Sequence, residues 1–260
     1  MLSLLQNTTQ VFFHPLDQFE IYVLFIYWPN IGMPIGMTLI TNLTIFCIII
    51  AVLIRKGLEL SNYSAKSNVF TLIFKEMYVL VRNIIKNNTS LKRYQYFSTL
   101  FFLFLFILAA NMIGLIPYSF TITSSFVITF FLALSHFIGI NIIAIFKNQW
   151  KSANLFLPGG VPLMIVPFLI IIEVVSYIAK VFSLSIRLFA NMMSGHALLK
   201  ILIGFSWGLL SAGSIYTFIA VLPWVVVTAI MFLEFMIAFL QAYVFTILVT
   251  IYINDVLVQH

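Results

Sequence analysis

The sequence predicts an all-α integral membrane protein with about five membrane-crossing helices and one in-plane amphipathic helix, the last two crossings long, steeply inclined and paired as a hairpin. Three observations lead there. Of 260 residues, 63% are hydrophobic and only 8% are charged, against about 25% charged in a soluble domain. Uncharged apolar stretches recur at the length of a bilayer crossing, and most of the charges lie between them. The composition excludes soluble enzyme chemistry and nucleic-acid binding, and it predicts a single membrane domain over residues 1–260.

The outer N-terminal segment, 1–32, contains Asp17 and Glu20, and the first Lys or Arg of the chain is Arg55. That start fits neither the positive beginning of a secretory signal nor an Arg-rich transit peptide. Insertion where the protein is made is therefore expected, in a bacterial membrane or in an organelle that encodes its own membrane proteins. Span 1 covers 33–54, uncharged and long enough for the roughly 20 residues a crossing needs. It ends at Arg55-Lys56.

Between Arg55 and Arg93 lie eight Lys/Arg and two Asp/Glu, a net +6 that equals the charge of the whole chain. Inside this segment Phe70, Ile73, Met77, Leu80 and Ile84 follow a helical spacing, with Lys75, Arg82 and Lys86 on the opposite face. This predicts an in-plane amphipathic helix over 66–87, an anchor to anionic headgroups or a docking face for another subunit.

No charge occurs from Tyr94 to Phe146. Pro117-Tyr118-Ser119 divides that run into span 2, 95–116, and span 3, 124–146. After Lys147, Lys151 and the breaker Leu157-Pro158-Gly159-Gly160, apolar patterns cover 161–204 and 214–254. At about 1.5 Å per residue each is roughly twice a bilayer core. Either each breaks into two spans or each lies inclined. Pro223 is the only strong breaker well inside either, so inclination is predicted, with Gly204, Gly208 and Gly213 marking the turn. Counting positive loops as inside puts the N-terminus outside and the C-terminus inside. Cys47 is the only cysteine, so no disulfide or thiolate metal site is possible. No metal-ligand spacing and no Gly-rich phosphate loop occurs, and no cofactor is expected.

The informative residues are the ionisable ones inside the last two patterns: Glu173, Lys180, Arg187, His196, Lys200 and Glu234, with Asp255 near the C-terminus. A charge at a helix centre costs about 2.5–3.5 kcal/mol on the insertion scale, and is tolerated when paired or beside a water path. Glu173, Lys180 and Arg187 are seven apart, so they drift by only about 20° per step and share a face. Ser183 and Asn191 join that stripe, whereas His196 lies about half a turn away. Glu234 and Gln241 likewise share a face. Arg187 stays protonated at any working pH, so it can attract a carboxylate but cannot relay protons. His196 and Glu234 both titrate, and a His with a carboxylate partner makes a proton relay. His14 and His136 read as structural residues.

The run Ser183-Leu184-Ser185-Ile186-Arg187-Leu188-Phe189-Ala190-Asn191-Met192-Met193-Ser194-Gly195-His196 closely resembles the signature of subunit a of the F-type, proton-translocating ATP synthase, mitochondrial-type. His14 to Phe19, Asn111 to Tyr118, and Glu234 with Gln241 resemble other family pieces in the same order. The resemblance covers nearly the whole chain. It implies that Arg187 faces a rotating ring of c subunits and separates two half-channels. His196 and Glu234 would then be the pair of the outer half-channel and Glu173 the acid of the inner one. Asn191 and Gln241 would flank the arginine, Asp255 would line the inner path, and Lys180 stands where relatives carry a basic residue.

The implied function is that of a stationary, non-catalytic proton-channel subunit of the membrane sector, whose ring turns as protons pass and so drives ATP synthesis. The implied partners are the c-subunit ring, a b-type peripheral-stalk subunit, other ATP synthase subunits and membrane lipids. The abundance of Phe and Ile points to a mitochondrial inner membrane, with a bacterial inner membrane as the alternative. Two rival readings are a secondary transporter and a structural subunit of a respiratory membrane complex. A transporter of that kind is often built from internal repeats with paired broken helices, and none is visible. A scaffold has no need of a mid-helix Arg, a His and two Glu.

Overall fold

A computed structural model describes residues 19, 21, 23–25, 40–63, 69–88, 96–116, 119–148, 166–211 and 214–258. Most of the outer segment 1–32, His14, the Pro117-Tyr118 break, Lys151, the Leu157 to Gly160 breaker and Gly213 lie outside the described residues. Among those described, six α-helices account for nearly all regular structure: α1 Asn42–Tyr63, α2 Val69–Asn88, α3 Phe97–Gly114, α4 Phe126–Asn148, α5 Val166–Ser211 and α6 Ser214–Val258. A minimal antiparallel pair, β1 Val23–Phe25 and β2 Ile40–Thr41, joins Val23 to Thr41 and Phe25 to Ile40. The chain is an all-α membrane protein. Among the described residues four stretches are long and apolar enough to cross a bilayer: Phe97–Gly114, Phe126–Phe146, Phe168–Ser211 and Val221–Asp255.

Helix α1 starts at a reciprocal cap. The Thr41 amide donates to Thr44 Oγ1 at 3.0 Å, and the Thr44 amide donates back to Thr41 Oγ1 at 3.4 Å. Two otherwise orphaned donors are thereby satisfied, in the manner of a capping box. Its apolar part, Asn42 to Ile54, gives only about 20 Å of helix, and 33–39 of the predicted first span lie outside the described residues. The helix then runs on past Ile54 to Tyr63. Arg55 Nε donates to Glu59 Oε1 at 3.0 Å, one turn on. Both side chains are well exposed, so this pair contributes little stability.

Helix α2 buries Val81, Ile84 and Ile85 and exposes Lys75, Arg82 and Lys86. Ile73, expected on the apolar face, is 46% exposed. The buried stripe occupies the C-terminal half of the helix, leaving the N-terminal half to face its surroundings. Helix α3 is apolar on all sides, as suits a helix buried in protein or lipid. Ser119 follows its end: the hydroxyl shares its one hydrogen between the Ile113 carbonyl at 2.6 Å and the Ile116 carbonyl at 2.8 Å, each of which also accepts a backbone amide.

Helix α5 is continuous over 46 residues and α6 over 45, about 69 Å and 68 Å at 1.5 Å per residue. Gly204 and Gly208, expected at the turn, lie inside α5, which extends to Ser211. Pro223 sits inside α6 without ending it. Both departures follow from the medium. Glycine and proline are tolerated in membrane helices, where no water competes for the backbone and neighbouring helices re-satisfy freed groups.

The described chain packs as two units. In the first, made of Met1–Leu53, Leu108–Ser125 and Ala190–Leu240, Phe46 meets Phe120 with ring centroids 6.0 Å apart. In the second, made of Ile54–Ile107, Phe126–Phe189 and Gln241–His260, Phe104 and Phe245 are fully buried. Phe130 packs on Phe182 with centroids 5.1 Å apart, and Tyr78 of α2 contacts Phe97 and Phe101 of α3 at 4.8 and 5.7 Å.

Gly57 brings α1 against α2 in this second unit. A Cβ there would lie 2.9 and 3.0 Å from Phe74 Cε1 and Cε2, closer than any side chain allows. Gly57→Leu is therefore expected to lower stability by about 1–3 kcal/mol, read as an earlier thermal unfolding transition of the purified protein. Phe74→Ala combined with it should restore part of the loss.

Candidate functional site

The first unit holds a group of buried polar atoms without hydrogen-bond partners. Glu234 of α6 is only 6% exposed and lies against Gly195 of α5. A Cβ at Gly195 would stand 2.9 Å from Glu234 Cδ and 3.2 Å from Cγ, so the carboxyl group occupies the place a side chain would fill. Neither carboxyl oxygen has a hydrogen-bond partner among the described residues.

His196, the next residue of α5, has a buried and unpartnered Nε2. Its ring meets Phe19 edge-on at 6.3 Å, and Nε2 lies 3.8 Å from where a Cβ on Gly114 would stand. That is an ordinary contact; the absent Cβ of Gly114 instead admits Thr121, whose Cγ2 would be 2.9 Å away. Asn111 is fully buried and donates from Nδ2 to the Ala238 carbonyl of α6 at 3.4 Å, while its Oδ1 is unpartnered. The hydroxyls of Thr121 and Thr123 are buried and unpartnered as well. Native interiors leave few such atoms unsatisfied, and here six fall in one unit. No direct hydrogen bond joins His196 Nε2 to the Glu234 carboxyl group.

The second unit holds Glu173, Lys180 and Arg187 of α5, while Lys200 falls in the first. Glu173 and Lys180 are half-buried and Arg187 is exposed. Ser185 and Leu188, on either side of Arg187, are fully buried, so the guanidinium projects from a well-anchored turn. The Arg55–Glu59 ion pair lies elsewhere in this unit, and among the described residues no carboxylate forms an ion pair with Arg187. Lys180 Nζ lies 5.8 Å from the Tyr177 ring and 5.3 Å from the Tyr252 ring. The two tyrosines stabilise the ammonium by cation–π attraction, and Tyr177 donates its hydroxyl hydrogen to Asn141 Oδ1 of α4. Gln241 is buried and Asp255 exposed near the end of α6. Asn191, half-buried in the first unit, accepts from the Ser194 hydroxyl at its carbonyl, 3.3 Å away.

Of the residues singled out from the sequence, Glu234 and His196 fall in the first unit with Asn191. Arg187, Glu173, Gln241 and Asp255 fall in the second. Sequence reasoning missed the glycines that admit Glu234 and Thr121, Gly195 and Gly114, and the other buried polar residues of the unit, Asn111, Thr121 and Thr123. The signal was present for Asn111, a lone amide in an uncharged span. It was absent for the glycines, which look alike wherever they occur. The tyrosine cage of Lys180 was equally hidden, since Tyr252 is 72 residues further on.

Fold and site together define a multi-pass, all-helical membrane protein that carries titratable side chains within its apolar helices. Residues 35–254 match the family model described as ATP synthase A chain, and the chain belongs to this family. It is 48% identical to ATP synthase subunit a of Chondrus crispus over 95% of this chain and 96% of that protein. Identity to ATP synthase subunit a of Acanthamoeba castellanii is 42%, over 94% and 97%. For the protein of the same name from Pelagibacter ubique it is 38%, over 95% and 98%. The family places the chain in ATP synthesis and proton transport.

The contact of Glu234 with Gly195 gives a direct test. Gly195→Ala is expected to destabilise the protein by about 1–3 kcal/mol, because the added methyl overlaps the carboxyl group. Shortening the acid with Glu234→Asp in the same chain should recover part of that loss. Thermal unfolding of the two single variants and the double variant measures the coupling.

Proposed function

We propose that this chain is the stationary proton-channel subunit of the membrane sector of an F-type ATP synthase, itself non-catalytic, working against a ring of c subunits. The observation that carries the reading is Glu234: a carboxyl group buried in a membrane-crossing helix, lodged on Gly195 with both oxygens unpartnered. Intramembrane ionisable residues mark ion pathways. Asn111, Thr121, Thr123 and His196 supply further buried polar atoms in the same unit, as a hydrated path requires and a dry core avoids.

In this reading Glu234 and His196 form the outer half-channel. A proton passes from outside to a carboxylate on a c subunit, which is thereby neutralised and can turn into lipid. Arg187 holds each arriving carboxylate in its ionised form and so displaces its proton toward the inner half-channel, served by Glu173 and Asp255, with Asn191 and Gln241 beside the arginine. The exposure of Arg187 on a membrane-crossing helix supports a partner there. A guanidinium facing bare lipid costs about 2.5–3.5 kcal/mol, which a passing acidic group offsets. As a group that cannot lose its proton, Arg187 keeps protons from running straight across. Each charge moved through the membrane potential supplies about 2.3 kcal/mol per 100 mV, so several are needed per ATP.

Five crossings with the N-terminus outside and the C-terminus inside fit the charge distribution. Steep inclination of α5 and α6 fits their length, about 69 and 68 Å against a hydrocarbon core of about 30 Å. A b-type peripheral-stalk subunit and the other ATP synthase subunits are the further partners. Relatives from plants, fungi and algae support the mitochondrial inner membrane, with a bacterial inner membrane as the alternative.

Arg187→Ala is expected to abolish proton-driven ATP synthesis while the complex still assembles, measured in inside-out vesicles after confirming subunit content. Normal synthesis by that variant would overturn the mechanism. Glu173→Gln and His196→Ala should each slow passive and coupled proton flow, followed with a pH-sensitive dye, without loss of assembly. Unchanged flux in both would return the two residues to structural roles.

A further inference from the structure

The second unit contains a cavity of about 390 Å³ that the proton path above does not use. Its walls come from α3, α4 and α6. Five lining residues are aliphatic, Leu100, Ile140, Ile143, Val249 and Ile253, and four are polar, Tyr96, Thr99, Ser135 and His136. Two of these are already engaged. The Ser135 hydroxyl donates to the Leu132 carbonyl at 2.9 Å, and His136 Nδ1 lies 2.8 Å from the same carbonyl. Gly139 completes the lining, and a Cβ there would meet nothing within 4 Å.

The size falls within the range of about 300–1,000 Å³ typical of ligand sites, which are mostly apolar with a few polar groups. Water is a poor filling for a lining with five branched aliphatic side chains. No Asp, Glu, Lys or Arg lines the space, which leaves an ion without a counter-charge of that kind. The walls belong to membrane-crossing helices, so the medium in reach is lipid.

Charge indicates which lipid. The polar lining residues include Tyr96 and Thr99, at the start of α3. Helix α2 docks there through Tyr78, which contacts Phe97 and Phe101. Lys75 and Arg82 stand one turn before and one turn after Tyr78, on its side of the helix, and both are exposed. A phosphate-bearing headgroup at this end of α3 would meet basic side chains. We propose that the cavity seats one acyl chain of an anionic glycerophospholipid, with its headgroup at the start of α3 beside Lys75 and Arg82. The site rests on neither the proton path nor the partner ring.

The test uses the whole purified membrane complex and a phosphatidylglycerol carrying a photoreactive diazirine in one acyl chain, with a phosphatidylcholine of identical chains as control. Illumination and peptide mapping should place the label on α3 between Tyr96 and Leu100 and on α4 between Ser135 and Ile143. The phosphatidylcholine probe, and the phosphatidylglycerol probe on Lys75→Gln or Arg82→Gln, should each label these positions less, by about five-fold for each charge removed. Gly139→Phe, which fills the cavity, should suppress this label and leave labelling elsewhere on the chain unchanged. Equal labelling by the two headgroups would overturn the proposal, as would absence of label from the cavity or label that survives Gly139→Phe. If Gly139→Phe does not assemble, the headgroup ratio on the unaltered complex decides the matter alone.

Discussion

The arrangement on which the rest depends is a carboxyl group pressed against a helix backbone inside the membrane. Glu234 fits because residue 195 has no side chain, and neither of its oxygens has a hydrogen-bond partner among the described residues. In water such a group would be one acid among many. In an apolar helix pair it is a site where a proton can be held or given up, and the protein must either neutralise it or connect it to a source of protons. The glycine at 114 makes room in the same way for Thr121. Small residues are used here to open space for polar side chains, the reverse of their usual part in bringing helices close together.

The same scarcity of polar partners explains how charge is distributed. Lys180 is surrounded by two tyrosine rings, which stabilise an ammonium in a site short of water. Arg187, one heptad further along the same helix, has no such enclosure and stands exposed. Two cations on one helical face thus stand in different surroundings, one half-buried beside aromatic rings and one exposed. The wide apolar faces of α5 and α6, where Ile171, Val175, Phe232 and Met236 are among the exposed side chains, suit lipid and a helical neighbour alike.

Much of this was legible in the sequence. Helix type and approximate position followed from charge-free runs, because a bilayer imposes a length that composition alone reveals. The ionisable residues stood out for the same reason, being few and out of place. The ends of elements were less legible: α5 passes through Gly204 and Gly208, since the breaking power of glycine is weaker where backbone groups have no water to turn to. Proximity between distant residues was not legible at all. Nothing in the chain between Gly195 and Glu234 says that one lies on the other, and nothing marks Tyr252 as the neighbour of Lys180. The amphipathic face of α2 was read from spacing, yet only its second half is buried, because spacing specifies a face but not how far along it a neighbour extends.

The most direct measurement of the central claim follows the Glu234 carboxyl group itself. Infrared difference spectroscopy of the reconstituted complex, with the Glu234→Gln variant to assign the band, reports whether this carboxyl exchanges its proton while protons flow. The account predicts a carboxyl band that is absent from the variant, shifts on transfer to heavy water and changes reversibly when a proton gradient is applied. A Glu234 band that stays constant and unexchanged in a complex actively making ATP would contradict it.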